Sequence, residues 1–234
     1  MIIYFVRHGH PDYKTDSLTE IGKRQAQAAA ERLLEYGIEK IFASPLGRAQ
    51  QTAQYTAQLL GQEIHTLEFM RELGWGRLDK DPTIPAPSPW VFAANCIANG
   101  QDFPGNGWQT DPAFAPTKLP QRYTDTVTGI DAWLNTMGYC REGNYYRVHG
   151  SNTNQTLAIF SHAGSSSAAL SHMLNFPFFQ FCATVEISFT SITKLYLPDE
   201  LGALVSPQIH LLNDARHIVG ISTQNNLRDP SKTN

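Results

Sequence analysis

Short apolar runs that alternate with amphipathic helical segments are the feature that most constrains the fold of this 234-residue chain. The runs at 2–6, 38–43 and 157–160 are rich in β-branched and aromatic residues, which is typical of strands buried on both faces. Further strands are predicted at 64–67, 185–197 and 209–212, and helices at 19–36, 46–60, 123–137 and 165–174. Elements that alternate at these lengths predict a three-layer α/β/α sandwich with a mostly parallel central sheet.

The regular alternation stops between residues 79 and 120. This segment holds eight of the 14 prolines, and Trp90 and Trp108 among the four tryptophans. Long irregular segments inside a domain are commonly functional lids, and a segment so rich in aromatic residues is expected to be ordered. We therefore expect one domain over residues 1–234, with a lid-like insertion at 79–120 and a polar, frayed tail at 223–234.

Composition and charge exclude several classes of partner. The formal net charge is −3, so no basic excess is available to neutralise a nucleic-acid backbone. No run of about 18 apolar residues occurs, and the N-terminal run leads into Arg7 without the features of a signal peptide, so we expect no membrane contact. The three widely spaced cysteines predict neither a disulfide framework nor a zinc site and favour a cytoplasmic location. Oligomeric state leaves no signal in the sequence.

Polar residues follow four of the predicted strands at the points where these strands end. They are Arg7-His8-Gly9-His10 after the first strand, Ser44-Pro45 with Arg48 after the second, Arg71-Glu72 after the third, and Ser161-His162-Ala163-Gly164 after the run at 157–160. Ligands of open parallel sheets bind at the carboxyl ends of the strands. We therefore expect two histidines, at least two arginines and a glutamate to converge at one edge of the sheet.

These residue types together suit phosphoryl transfer. Arginines and helix N-termini bind a phosphate dianion, and a protonated second histidine stabilises its oxygens. A neutral imidazole is a nucleophile toward phosphorus if a carbonyl holds its other nitrogen as N–H. A carboxylic acid protonates the leaving alkoxide and then, as carboxylate, activates water. The set therefore predicts phosphoryl transfer from a small phosphorylated substrate.

Several motifs carry a resemblance to one family. Residues 7–9 read R-H-G, residues 18–26 fit L-T-x-x-G-x-x-Q-A, residues 44–53 fit S-P-L-x-R-A-x-Q-T-A, residues 71–76 hold a glutamate before a glycine, residues 161–162 read S-H, and residues 213–217 fit N-D-x-x-H. In sequence and order these motifs resemble those of the histidine phosphatase superfamily, the phosphoglycerate-mutase-like fold. The resemblance extends over residues 4–217.

The resemblance also implies roles for individual residues. His8 would form a phosphohistidine; Arg7, Arg48 and His162 would hold the phosphate; the amide of Ala163 would be a further donor; and Glu72 would be the proton donor. Gly9, in the first motif, counts with the substrate-binding residues. The family implies no metal and no organic cofactor.

Two departures from the family pattern affect these expectations. Lys14 stands where many members have an asparagine that contacts the phosphate, so Lys14 is a candidate phosphate contact. The basic substrate loop of the phosphoglycerate mutases is replaced here by the segment at 79–120. A metal-independent phosphatase is therefore the leading interpretation. A mutase and a catalytically silent phosphate-binding or interaction module remain as alternatives.

Ordinary structural roles compete with some of the assignments. Glu68, one helical turn before Glu72, is an alternative position for the acid. His10 could pair with His8 on a metal, but no further ligands of suitable spacing accompany them, so a zinc site is rejected. His217 is interpreted as a hydrogen-bonding residue that supports the fold.

Overall fold

The computed structural model describes residues 1–78, 88–105, 107–150 and 153–221. Its α-helices are α1 (Glu20–Leu33), α2 (Gly47–Leu60), α3 (Pro89–Ala98), α4 (Leu119–Thr136), α5 (Ala163–Met173) and α6 (Phe178–Thr184). Its strands are β1 (Ile2–Arg7), β2 (Pro11–Asp12), β3 (Ser17–Leu18), β4 (Lys40–Ala43), β5 (Ile64–Thr66), β6 (Tyr139–Glu142), β7 (Tyr145–Val148), β8 (Thr156–Ser161), β9 (Ile192–Tyr196), β10 (Leu204–Val205) and β11 (Gln208–Asp214). The start of the predicted lid, 79–87, and the predicted frayed tail at 223–234 lie outside the described residues.

A six-stranded sheet forms the centre of the fold, in the order β11-β9-β1-β8-β4-β5. Strands β1, β8, β4 and β5 pair in parallel, whereas β9 runs antiparallel to both β1 and β11. The predicted α/β fold with a mostly parallel central sheet is confirmed. β1 and β8 lie inside the sheet, which explains why their sequences are continuously apolar.

Helices cover both faces of this sheet. Tyr4 and Val6 of β1 point to one face, where they share an apolar core with residues of α1 and α2. Ile3 and Phe5 point to the other face and pack in a core with residues of α4 and α5. Successive side chains along a strand point to opposite faces of the sheet. Because the side chains on both faces of β1 are apolar, their burial requires a layer of helices on each face, which is the three-layer architecture.

The local signals that predicted α1 act as expected. Thr19 is the N-cap, and its Oγ1 accepts a hydrogen bond from the Gly22 N–H at 3.1 Å. After a short 3₁₀ turn the chain reverses at Gly37, whose φ of 64° lies in the left-handed region that glycine adopts without strain.

The segment between β5 and α4 contains a helix that the sequence analysis did not predict. Ser88 caps α3, accepting a hydrogen bond from the Val91 N–H. Beyond α3, Trp108 and Phe114 are buried and pack against Phe179 of α6 at ring-centroid distances of 5.1 and 4.9 Å. The described part of this segment is therefore anchored to α6 by aromatic contacts.

The prediction for residues 185–197 was partly wrong. Only Ile192–Tyr196 forms a strand, while 185–191 is an irregular loop that follows α6. The hairpin of β6 and β7, which joins β10 in a small separate sheet, was also missed. Within the described residues, no helix combines the length and apolar character needed to cross a bilayer.

Candidate active site

Three neighbouring strands end together at one edge of the sheet. Arg7 of β1 lies opposite Ser161 of β8, and the His8 N–H donates to the Ser161 carbonyl at 2.9 Å. On the other side of β8, the Ser44 N–H donates to the Phe160 carbonyl at 2.8 Å as the chain leaves β4. The residues after these strands therefore emerge side by side, as expected from the sequence.

His8 is the buried centre of this edge, with only 1% of its surface exposed. Its Nδ1 lies 2.7 Å from the carbonyl oxygen of Gly9. A carbonyl can only accept a hydrogen bond, so Nδ1 carries the proton and Nε2 keeps its lone pair. Burial and the guanidinium groups of Arg7 and Arg48 hold the pKa of His8 well below its usual value. The imidazole is therefore neutral, and its lone pair is on Nε2, where it accepts a hydrogen bond from Arg48 Nε.

Gly9 is required by close packing beneath His8. A Cβ at this position would lie 2.5 Å from the Gly22 carbonyl oxygen of α1. The Gly9 N–H donates to Thr52 Oγ1 on α2 at 3.1 Å. Both backbone groups of Gly9 are thus engaged within the protein, and its direct contribution is to the orientation of the His8 ring.

The side chain of Arg7 is held in place by the loop at 185–191. Its Nη1 donates to the Ile187 carbonyl at 2.6 Å, and its guanidinium carbon lies 4.0 Å from the centre of the Phe189 ring. Such cation–π contacts stabilise and orient a guanidinium group. Arg7 Nε is buried and has no hydrogen-bond partner among the described residues.

The motif at 213–217 fixes the loop that holds Arg7. Asn213, with a φ of 50°, accepts a hydrogen bond from the Ser188 N–H at 2.8 Å, and its amide donates to Ser188 Oγ. His217 Nε2 lies 3.2 Å from Thr190 Oγ1 in the same loop. These contacts agree with the interpretation of His217 as a hydrogen-bonding residue that supports the fold.

Arg48 lies at the first turn of α2 and connects His8 to an acidic side chain. Its Nε donates to His8 Nε2 at 3.3 Å, and its Nη1 donates to Asp16 Oδ1 at 2.5 Å. Arg48 is largely buried despite its charge. The Asp16 carboxylate supplies the opposite charge that a buried guanidinium requires.

His162 is the N-cap residue of α5 and is fully buried beside His8, with the two ring centroids 5.0 Å apart. Its Nε2 lies 2.7 Å from Ser44 Oγ, and its Nδ1 has no partner among the described residues. Burial, His8 and the nearby arginines hold the pKa of His162 well below its usual value. These surroundings favour the neutral form of the His162 imidazole.

Ala163 is the first residue of α5 and follows His162 directly. N–H groups in the first turn of a helix have no carbonyl partner within that helix, and the helix dipole makes this end favourable for anions. The predicted amide donor thus lies at a helix N-terminus next to the two histidines.

Glu72 lies at the border of the site, in the segment that follows β5. Its Oε1 accepts hydrogen bonds from the Leu73 N–H at 3.0 Å and from the Ser165 N–H of α5 at 3.2 Å. Glu68, the alternative position for the acid, has a side chain 74% exposed that pairs with Arg71. The structure therefore brings Glu72, and not Glu68, against the helix that carries His162.

Gly164 makes room for the Glu72 carboxylate, because a Cβ at position 164 would lie 2.4 Å from Glu72 Oε1. We expect Gly164→Ala to displace Glu72 and to lower kcat/KM for an alkyl phosphomonoester about 10- to 100-fold. The added Cβ would also lie 3.2 Å from Leu73 Cγ, so Tm is measured together with kcat/KM to separate displacement of Glu72 from a loss of stability. The matched control is Gly76→Ala, whose Cβ meets nothing within 4 Å. Equal kcat/KM values for the two variants would contradict the expectation.

Other residues named from the sequence lie around this group. Lys14 is exposed in the turn between β2 and β3, where its N–H donates to Asp12. His10 Nδ1 lies 3.0 Å from Thr19 Oγ1, and the ring packs edge-on against Phe189. In the described part of the chain, no three His, Cys, Asp or Glu side chains group as ligands for a metal ion.

The sequence analysis assigned no role to three residues that shape the site, namely Asp16, Thr52 and Phe189. Thr52 lies four residues after Arg48 on α2, a spacing that places both on one helix face and could have identified it. Asp16 and Phe189 lie in loops that only the tertiary structure brings to the site. No motif, spacing or periodicity in the sequence identifies either residue.

Comparison with known proteins places these motifs in a family. The family model of the histidine phosphatase superfamily (branch 1) matches residues 3–209. A probable phosphoglycerate mutase GpmB of Yersinia pestis is 42% identical over 89 residues. That match covers 34% of this chain and 41% of the relative, so the chain spans less than half the length of the curated relative.

Solved structures with the same fold cover most of the chain. Mycobacterial glucosyl-3-phosphoglycerate phosphatase has a TM-score of 0.61 and 21% identity over 91% of this chain and 98% of its own. Phosphoserine phosphatase of Entamoeba histolytica, solved with 3-phosphoglyceric acid, has a TM-score of 0.61 and 19% identity over 93% of this chain and 98% of its own. At such low sequence identities, these similarities show only that the proteins share a fold.

Proposed function

This chain belongs to the histidine phosphatase superfamily, and on that basis we propose that it hydrolyses a small phosphomonoester through a phosphohistidine intermediate on His8, without a metal ion. The observation that carries the proposal is the state of His8. Its Nδ1–H is held by the Gly9 carbonyl, and its Nε2 lone pair lies among the guanidinium groups of Arg7 and Arg48. A neutral, oriented imidazole beside fixed positive charge is what attack on phosphorus requires.

Two buried polar atoms without partners support a phosphate site next to His8. They are Arg7 Nε and His162 Nδ1. Buried polar atoms without a partner are costly, and oxygens of a phosphate bound here would provide acceptors for both. Ser44 Oγ accepts a hydrogen bond from the Leu46 N–H. In the protonated imidazole both nitrogens carry hydrogen, so Nε2–H donates to Ser44 Oγ and Nδ1–H is left for a phosphate oxygen.

The bound dianion changes the charge of His162. The nearby negative charge favours the protonated imidazole, so phosphate binding raises the pKa of His162, which burial, His8 and the neighbouring arginines otherwise keep low. Arg7, Arg48, His162 and the first-turn amide of Ala163 then surround the phosphoryl oxygens. Gly9 acts through the orientation of His8. Lys14, exposed on the rim, adds a positive charge that attracts the substrate.

In the first step, His8 Nε2 forms a bond to phosphorus as the bond between phosphorus and the ester oxygen breaks. Glu72 as a carboxylic acid gives its proton to the leaving alkoxide. In the second step, the Glu72 carboxylate takes a proton from water, whose oxygen attacks phosphorus and breaks the bond to His8. Inorganic phosphate leaves, and both residues return to their starting states.

The segment at 79–120 is proposed to act as a lid that selects the alcohol part of the substrate. Trp90 of α3 packs edge-on against Trp75, with ring centroids 5.5 Å apart, and Trp75 lies three residues after Glu72. We infer that these two rings supply an apolar surface for the alcohol part of the substrate. Structural neighbours act on glucosyl-3-phosphoglycerate and phosphoserine, which are small phosphorylated molecules.

Phosphate release from a panel of phosphorylated sugars, glyceric acids, nucleotides and amino acids tests the proposal. We expect release of inorganic phosphate from at least one class, with a balanced yield of the free alcohol. A mutase is the second candidate, because the curated relatives are probable phosphoglycerate mutases. Transfer of the phosphoryl group to a second hydroxyl, without release of phosphate, would favour the mutase. Phosphate binding without either reaction would favour a silent binding module.

A further inference from the structure

Asp16 contacts two groups at the start of α2 and belongs to none of the recognised motifs. One carboxylate oxygen, Oδ1, accepts the hydrogen bond from Arg48 Nη1 at 2.5 Å, and the other, Oδ2, accepts one from the Gly47 N–H at 2.7 Å. The Asp16 side chain is 40% exposed and that of Arg48 is 9% exposed. The carboxylate therefore reaches from the turn between β2 and β3 to the buried guanidinium.

The backbone around this contact is shaped to bring the two segments together. Asp16 has a φ of 49°, in the left-handed region that aspartate adopts more readily than most residues. Its carbonyl oxygen lies 2.3 Å from the position that a Cβ of Gly47 would occupy. Only glycine at position 47 allows the turn to approach α2 this closely, which keeps Asp16 within reach of Arg48.

Asp16 and His8 together determine the orientation of Arg48. The planar guanidinium donates through Nη1 to Asp16 and through Nε to His8 Nε2. Two contacts on different nitrogens fix both the position and the plane of such a group. The Tyr13 ring, on the same turn as Asp16, lies 5.4 Å from the guanidinium carbon.

We propose that Asp16 is a positioning residue for Arg48, a role that rests on the proposed function. It holds the guanidinium in place so that the Nε–H points to the position where phosphorus meets His8. The same carboxylate is a negative charge near the phosphate site, so it opposes ground-state binding of a dianion. Asp16 therefore increases the rate of the chemical step at the expense of phosphate affinity.

The variant Asp16→Asn separates this role from a structural one. The amide oxygen of asparagine can still accept the hydrogen bond from the Gly47 N–H, so the start of α2 stays capped. The amide nitrogen then faces Arg48, and because it can only donate, it cannot replace the charged acceptor that Asp16 provides. The control is Asp12→Asn, which makes the same change of charge on the neighbouring strand, at a side chain that accepts from the Lys14 N–H.

We expect kcat of Asp16→Asn for p-nitrophenyl phosphate to fall about 10- to 100-fold. The dissociation constant of inorganic phosphate, measured by calorimetry, should decrease about two- to fivefold, because one repulsive charge is removed. Asp12→Asn should match the wild type in both measurements. A lower kcat with tighter phosphate binding supports the proposal. An unchanged kcat, or weaker phosphate binding together with a lower Tm, overturns it.

This result is distinguishable from failure of the proposed function. If the wild-type protein releases no phosphate from any substrate, the proposed function fails. The Asp16 proposal is then judged from the phosphate dissociation constant alone. A decrease in that constant for Asp16→Asn, with none for Asp12→Asn, retains the electrostatic part of the proposal, and equal constants for all three proteins overturn it.

Discussion

Replacing His8 with alanine is expected to slow phosphate release by about 10⁴-fold or more, because the atom that forms the covalent bond to phosphorus is removed. Inorganic phosphate should still bind, since Arg7, Arg48 and the N-terminus of α5 do not depend on the imidazole for their positive charge. The expected signature is loss of turnover without loss of phosphate binding, with both measured on the same folded preparation.

The covalent intermediate provides a direct measurement for this prediction. The wild-type enzyme mixed with ³²P-labelled substrate and quenched in base within milliseconds should carry a label that is stable in base and released by acid, as a phosphohistidine is. The label should be absent from His8→Ala. His10→Ala is the matched control, because His10 lies two residues away with its Nδ1 near Thr19 and should keep the label. A label on His8→Ala, or none on the wild type, would contradict covalent catalysis by His8.

The grouping of the proposed catalytic residues could be predicted from the sequence because it follows from strand pairing. Once β1, β8 and β4 are recognised as neighbouring parallel strands, the residues after Val6, Phe160 and Ala43 must emerge at one edge. The apolar character of each strand determines where it ends. Arg7, His8 and His162 therefore follow from local patterns combined with one topological rule.

The loop at 185–191 could not be predicted in the same way. Its first residues, Val-Glu-Ile-Ser-Phe, alternate between apolar and polar as a strand does. In the structure the Ile187 carbonyl accepts from the Arg7 side chain, and Thr190 has a φ of 53°, which no regular strand contains. The tertiary contacts with Arg7 and Asn213 override the local preference, and no local sequence pattern records them.

Asp16 illustrates a second limit of the sequence. Its pairing with Arg48 spans 32 positions and joins a turn to the start of a helix. An acidic residue in a polar loop is ordinarily solvated, and neither spacing nor periodicity distinguishes this one. The contact becomes visible only when the close approach of the turn to Gly47 is known.

Replacing Glu72 with glutamine should slow the enzyme by an amount that depends on the leaving group. Glutamine keeps an oxygen to accept from the Leu73 and Ser165 N–H groups, so the segment should stay in place while the transferable proton is lost. An alkoxide leaves poorly without a proton, and general acid catalysis contributes about 10²- to 10⁴-fold. We expect kcat/KM for an alkyl phosphomonoester to fall by that amount. For p-nitrophenyl phosphate, whose leaving group needs little protonation, the fall should be about tenfold at most.

Hydrolysis of the phosphohistidine, the second step of the reaction, provides a separate test of the same substitution. With p-nitrophenyl phosphate the phosphohistidine should still form in Glu72→Gln, but the amide cannot take a proton from the attacking water, so the labelled intermediate should accumulate above its wild-type level. Glu68→Gln is the control, because Glu68 is exposed and pairs with Arg71. It should leave both kcat/KM values and the labelling unchanged. Equal slowing of both substrates by Glu72→Gln would remove Glu72 from the acid role. If both substrates are slowed equally and the label does not accumulate, Glu72 is removed from the base role as well. A residue that gives up a proton in the first step and takes one in the second must change both the dependence on the leaving group and the amount of labelled intermediate.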